Sequence, residues 1–326
     1  MKLSVAMCTY NGELYIEKQL DSILNQTLAV NEIIICDDGS KDTTISILKK
    51  YQNLHPKLIT IIENSINLGS NKNFEKAINL CDGDYIFLSD QDDLWDVEKA
   101  KKIIDIFNEN PKAEGVFSNA KLIDNNDSAI FNDFTLWDSI CFYENKIKSQ
   151  TDLYKLILYR GNYLTGGTFC IKKEALQFCS PFKTVKEFLH DEWLAFALSQ
   201  RNTLYYSKEN LISYRIHTSQ QVGVGGIQKA INQRRKKSTE IEKIVNFDLL
   251  KSYSDYKMIT RKCFSQYEKY KLVIETYGND PSVNNIKEEL LETYIKFDSI
   301  MKQKYPIRYF FRKIKDKQKG KRQLTK

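Results

Sequence analysis

Two carboxylates one residue apart, Asp90 and Asp92 in YIFLSDQDDLWD (residues 85–96), stand where an apolar run, Tyr85 to Leu88, gives way to charge. In an extended or turning segment, side chains two residues apart can aim at one point. Carboxylate oxygens paired in this way suit Mg2+ or Mn2+, with water and phosphate filling the other positions. Such a cation would bridge diphosphate oxygens and take up charge on a leaving group. Counting Asp93, three acids this close repel one another unless something positive joins them. The segment has a plainer use as well. Asp92, Asp93 and Asp96 precede VEKAKK, where acids cap a helix and favour its dipole. The two uses are compatible if Asp93 and Asp96 cap while Asp90 and Asp92 bind.

Three further clusters carry polar side chains of the right kinds. Asp37-Asp38 in EIIICDDGS reads either as a turn with a helix cap or as an acceptor pair for a base or ribose. Tyr10, in Cys8-Thr9-Tyr10-Asn11-Gly12, is either a packed core ring or a flat surface for a nucleobase. His190-Asp191-Glu192 opens an apolar-faced helical stretch. A carboxylate there is a plain N-cap, or, in a cleft, a general base.

The elements that must position these groups alternate. KLSVAMC, EIIICDD, KLITIIEN and DYIFLSD read as strands. LYIEKQLDSILNQ, TTISILKKYQN, SNKNFEKAINLC and VEKAKKIIDIFNEN read as helices. This is the signature of an α/β chain with a mostly parallel sheet covered on both faces. Ligands of such sheets bind beyond the carboxyl ends of the strands, so the three polar strand ends should converge on one rim. Further along, AEGVFSNAKLID reads as a strand, TGGTFCIKKEAL as a strand entering a helix, and LYYSKENLISYRIH as strand–turn–strand. From about Ile227 the pattern is helical to the end, broken at Gly278-Asn279-Asp280-Pro281. A boundary near residue 225 is expected, with a helical region over 226–326.

Composition narrows the class. With 42% hydrophobic and 28% charged residues in a chain of 326, a sizeable core forms and wholesale disorder is excluded. No apolar run reaches ~18 residues, so no spanning helix is expected. The first residues turn polar without a signal-peptide pattern, which predicts a cytoplasmic protein. Seven cysteines, odd in number and without Cys-x-x-Cys spacing, read as reduced thiols. The net charge of +7 is uneven: residues 302–326 hold eleven Lys/Arg and one acid, Asp316, leaving the rest at −3.

Taken in order, VAMCTYNGELYIEKQLDSILNQT, EIIICDDGSKDTT, NLGSNKNFEKAI, YIFLSDQDDLW, LTGGTFCIKKEAL, HDEWLAFAL and ISYRIHTSQQVG resemble the inverting family 2 glycosyltransferases of the GT-A fold. Within them the chain is similar to bacterial rhamnosyltransferase-type enzymes of surface-polysaccharide assembly. The resemblance covers roughly residues 1–225 and implies roles by position. Cys8, Thr9 and Tyr10 would lie against the donor's pyrimidine. Asp38 would meet the base, with Asp37 serving the same pocket less directly. Asp90-Gln91-Asp92 matches the family's DXD motif, Asp90 facing ribose and diphosphate and Asp92 the main ligand of Mn2+ or Mg2+. His217 would join the metal set, and Arg215 would close over the diphosphate. Gly166 and Gly167 would line the acceptor pocket, and Asp191 would be the base that deprotonates the acceptor hydroxyl. From His217 on, the family's His-Gly-Asn is replaced by His-Thr-Ser. The implied donor is a dTDP-, UDP- or GDP-linked sugar; the implied acceptor is a saccharide or lipid-linked glycan.

The tail, YPIRYFFRKIKDKQKGKRQLTK, interleaves aromatic and basic residues and suits an anionic membrane surface, placing the protein peripherally on the inner face of the plasma membrane. A solvated basic terminus is the plainer alternative, and nothing else marks a nucleic-acid module. Two other functions compete: a phosphotransferase or phosphatase with Asp90 as nucleophile, and a non-catalytic nucleotide-sugar or glycan binder.

Overall fold

Strand β1 (Leu3–Thr9) is joined in parallel on one side to β2 (Glu32–Asp37) and on the other to β4 (Tyr85–Ser89), with β3 (Ile59–Glu63) beyond β2. The computed structural model describes residues 1–185, 188–217, 227–318 and 324, and only the backbone of 227–231, 233, 235, 317 and 318. Among the described residues eight strands form one sheet in the order β3-β2-β1-β4-β7-β6-β8-β5. The chain reverses its direction of travel across the sheet at β1, because β2 and β3 lie to one side and β4 to the other. The C-terminal ends of β1 and β4 therefore border a crevice.

Helices α1 (Ile16–Leu24), α2 (Thr44–Leu54) and α3 (Ser70–Leu80) make the connections between these strands. Their apolar residues recur at helical spacing and are buried, as Ile16, Leu20 and Ile23 are on α1. Ile33, Ile34 and Ile35 on β2 are buried on both faces of the sheet, each contributing about 1.5–3 kcal/mol of transfer free energy. After β4 come β5 (Leu94–Trp95), α4 (Lys99–Glu109), β6 (Gly115–Ile123), α5 (Leu136–Ile140), α6 (Gln150–Arg160), β7 (Phe169–Lys172), α7 (Leu176–Cys179), α8 (His190–Gln200) and β8 (Leu204–Arg215).

Beyond β4 the sheet is mixed. β7 pairs antiparallel with both β4 and β6, and β5 antiparallel with β8, while β6 and β8 are parallel. The expected strand–turn–strand of LYYSKENLISYRIH is instead the single strand β8. Its polar centre is accommodated by register shifts beside Asn119, a bulge rather than a turn. That bulge lets β8 carry Arg215 to the end of β6, opposite Ile123.

The chain divides into two compact units. The first comprises residues 1–144, 162–182 and 189–234 and holds the whole sheet. The second comprises 145–161, 183–188 and 235–326. Helix α9 (Ile227–Val245) begins in the first unit and ends in the second, where α10 (Tyr253–Tyr277), α11 (Pro281–Lys304) and α12 (Pro306–Gln318) follow. The break expected at Gly278 separates α10 from α11. Gly278 adopts φ +86°, and the Asp280 carboxylate caps α11 by accepting from the amides of Ser282 and Val283, with Pro281 in the first turn. Val283, Ile286, Leu290, Tyr294, Phe297 and Met301 form the buried stripe of α11. All seven cysteines are unpaired thiols. Among the described residues no helix is long and apolar enough to cross a membrane. Residues 218–223 of ISYRIHTSQQVG, and 319–323 and 325–326 of the tail, lie outside the described residues.

Candidate active site

The polar ends of β1, β2 and β4 meet on one rim, within the first unit. Gln91 ties two of them together. Its side-chain amide accepts from the Tyr10 amide at 2.8 Å and donates to the Tyr10 carbonyl at 3.1 Å. From below, the buried Gln19 of α1 donates to Ser89 Oγ (2.8 Å) and to the Asp90 carbonyl (3.0 Å). The residue between the two acids is thus the clasp that holds their turn to β1.

Asp90 is directed inward. Its Oδ2 accepts from the Gly167 amide at 3.1 Å, in the turn that precedes β7. Burial, then the neighbouring Asp92 charge, pushes its carboxyl up to about 7. Asp92 faces the end of β8, its Oδ2 2.8 Å from His217 Nε2. Gly166 and Gly167 therefore lie directly beneath the acidic turn. A Cβ at Gly167 would come within 2.7 Å of Asp93 Oδ2 and 3.1 Å of Asp90 Oδ2, so only glycine allows this approach.

Asp191, in the first turn of α8, is buried, and that burial raises its carboxyl to about 7. Its Oδ1 accepts from the Glu192 amide at 2.7 Å, and the charges of Glu192 and Asp90 act on it as well. It is not the N-cap, a position held by Leu189 without a side-chain bond. Tyr10 is 38% exposed, leaving a ring face on the rim beside half-buried Cys8 and buried Thr9.

Several expectations need correction. Arg215 does not reach out over the rim: it is 0% exposed. Its Nε donates to the Asp92 carbonyl (2.7 Å), its guanidinium donates to the Asp124 carbonyl (2.8 Å) and pairs with Asp127 (2.6 Å), and it lies over the Tyr15 ring. Its own amide donates to Asp93 Oδ1 at 3.0 Å. Arg215 thus grips the acidic turn from behind. Asp37 and Asp38 are also committed. Asp37 accepts from the Gly39 and Ser40 amides and from the Thr9 and Ser40 hydroxyls. Asp38 accepts from the Leu68 and Gly69 amides and from the Asn64 side chain. Both carboxylates organise the rim's loops rather than face it. Asp93 does not cap α4: the N-cap is Glu98, without a side-chain bond, and the Asp96 carboxylate accepts from the Glu98 amide just ahead of the helix.

Two residues of the site had no functional reading in the sequence. Asp93 is buried beside Gly167, its carboxyl raised by burial and by Asp92 and Asp90. Lys99, fully buried on α4, donates to the Gly167 carbonyl at 2.7 Å and sits 3.6 Å over the Trp95 ring. Lys99 and Asp90 thus hold the same turn by its carbonyl and its amide. Burial lowers Lys99 to about 7, although Asp93 and Asp90 oppose that shift.

Among the described residues no three His, Cys, Asp or Glu cluster closely enough to form a complete metal cage. The pair Asp92–His217 nevertheless has the right chemistry for a cation completed by substrate oxygens and water.

Residues 4–177 match the glycosyl transferase family 2 model. The dTDP-rhamnosyl transferase RfbG of Shigella flexneri is 34% identical over 247 residues, 70% of this chain and 77% of that protein. Among solved structures, S. aureus TarS 1-349 in complex with UDP-GlcNAc aligns at TM-score 0.50 and 17% identity, over 93% of this chain and 92% of that one. The mannosyltransferase PcManGT from Pyrobaculum calidifontis, in complex with GDP-Man and Mn2+, aligns at TM-score 0.51 and 14% identity, over 95% and 82%.

Proposed function

The chain belongs to glycosyl transferase family 2, and from that premise we propose that it moves a sugar, rhamnose being the first candidate, from a nucleoside diphosphate to a glycan acceptor of surface-polysaccharide synthesis, with inversion. It is a glycosyltransferase of GT-A fold, which sets aside the phosphatase and simple binding alternatives. The region around residues 1–225 is its catalytic body.

The observation that carries this reading is that the clasped Asp90–Asp92 turn and a second buried acid, Asp191, lie within one unit, where Asp90 and His190, the neighbour of Asp191, both border Gly166. The base of the donor would lie on the exposed face of Tyr10, against Cys8 and Thr9. Asp37 and Asp38 would shape that pocket through the loops they hold. Asp92 and His217, with Asp90 beside them, would hold Mn2+ or Mg2+ at the diphosphate. When bound, the cation supplies the counter-charge for the departing nucleoside diphosphate. This weighs more because Arg215 is committed behind the turn, where it fixes the position of Asp92.

Asp191 would take the proton of the acceptor hydroxyl as its oxygen attacks the anomeric carbon. The bond to the diphosphate breaks from the opposite face, and one displacement inverts the centre. A single carboxylate suffices, because a diphosphate needs little acid assistance in leaving. With a carboxyl raised to about 7, Asp191 is a base matched to neutral pH. Gly166 and Gly167 would border the place where acceptor and donor meet.

The basic tail would rest on an anionic membrane, beside a lipid-linked acceptor. Ile307, Phe310, Phe311 and Ile314 on α12 are exposed at one-face helical spacing. Thermal-shift screening of dTDP-, UDP- and GDP-sugars with Mn2+ tests the donor reading. A stabilising donor whose effect needs the cation is expected, and stabilisation by none of the panel would overturn it.

A further inference from the structure

Side-chain atoms of Asp90, Asp93 and His190 converge on the Gly166–Gly167 turn. The His190 ring is 95% buried and stacked on Phe74 at 4.2 Å between centroids. Its hydrogen bonding defines its tautomer. The Asn71 side-chain atom that accepts from the His190 amide at 2.8 Å must be an oxygen. The same oxygen lies 3.4 Å from His190 Nδ1, so Nδ1 carries the hydrogen. Nε2 then holds a lone pair, and among the described residues it has no partner. Burial alone drives the imidazole down to about 3, so it stays neutral at working pH. A buried acceptor without a donor is rare in folded proteins and calls for a ligand.

Gly166 lies against Nε2. A Cβ at that position would lie 3.2 Å from His190 Nε2 and 3.8 Å from Asp90 Oδ2. The space beside Gly166 is thus bordered by both His190 Nε2 and the Asp90 carboxylate of the diphosphate site, and the residue after His190 is Asp191. The group that must lie between a diphosphate and the base of its displacement is the transferred sugar. We infer that His190 Nε2 accepts a hydrogen bond from a hydroxyl of the transferred sugar, which makes His190 a specificity-determining residue of the donor site. This rests on the nucleotide-sugar reading above. A site built to accept from a hydroxyl discriminates strongly against the sugar that lacks it.

Calorimetry with Mn2+ tests it, on the wild-type chain, His190→Phe and His190→Gln. The probes are the tightest-binding sugar of a panel of dTDP-, UDP- and GDP-linked hexoses and 6-deoxyhexoses, and its parent nucleoside diphosphate. Phe keeps a ring on Phe74 without the acceptor, and Gln offers an amide oxygen in its place. The expected result is a loss of about tenfold in affinity for the nucleotide sugar in His190→Phe, a smaller loss in His190→Gln, and unchanged binding of the nucleoside diphosphate by both. Nucleotide-sugar affinity equal to wild type in His190→Phe overturns the inference, as does an equal loss for both probes, which would mark a packing role. Failure of the wild-type chain to bind any of the panel is a different result: it overturns the donor reading, and the inference falls with it.

Discussion

The amide of Gly167 donates to Oδ2 of Asp90 across 3.1 Å, joining the turn before β7 to the acid at the end of β4. The approach leaves no room for a side chain, since a Cβ would meet the Asp93 and Asp90 carboxylates. Gly167→Ala should therefore displace the acidic turn. A fall of about 100-fold in transfer rate is expected from a shift of about 1 Å, with the fold retained. Nucleoside diphosphate release in the presence of a glycan acceptor measures it, alongside a melting curve.

Asp191→Asn should abolish transfer and leave donor binding intact, because the base touches the acceptor proton and not the nucleotide. The same change should raise stability at pH 8. The folded-state carboxyl titrates near 7 and the unfolded one near 3.8, so the native state holds the extra proton between them. Stability from this group is then lost as pH rises through that window. The variant should melt higher than wild type at pH 8, with the gap closing toward pH 4. Equal melting temperatures at both pH values would contradict the buried-charge account.

The rate should carry the same signature. Asp191 must be ionised to act, so kcat/KM should climb with pH through about 7 and then level. A flat profile between pH 5.5 and 8 would remove Asp191 from the role of base.

Arg215→Met should destabilise the chain by ~3 kcal/mol, since it strips a buried partner from Asp127 and from two carbonyls. Denaturant unfolding reads this directly. A variant that unfolds like wild type but loses donor affinity would return Arg215 to the diphosphate.

On α12, Arg312 is buried against Asp316 while Phe310 and Phe311 are exposed. Replacing both phenylalanines with Glu should abolish sedimentation with anionic vesicles and leave nucleotide binding unchanged. Equal sedimentation by the doubly substituted and wild-type chains would argue that the tail is merely solvated.

The site's outer frame was legible because strand–helix alternation alone puts Thr9, Asp37 and Asp90 on one rim. Its inner wiring was not. Lys99 sits in VEKAKK, which has the composition of a solvated face; only the tertiary burial of its first helical residue beneath the acidic turn gives it a role. Arg215 and Asp92 are 123 residues apart, and no local pattern tells a guanidinium that grips a turn from one that reaches for a ligand. Lys208-Glu209-Asn210 has the polarity of a turn, yet β6 beside it keeps β8 in one piece through a bulge. Asp38 resembles a rim ligand by position and is drawn inward by two loop amides, Leu68 and Gly69, that sequence spacing does not bring near.

The most direct measurement is calorimetric binding of dTDP-, UDP- and GDP-sugars, with and without Mn2+, to the wild-type chain and to Asp92→Asn and Asp191→Asn. One donor class should bind wild type and Asp191→Asn alike when Mn2+ is present, and bind Asp92→Asn weakly with or without it. Donor binding that ignores Mn2+ in all three proteins, or no donor binding at all, would contradict the account.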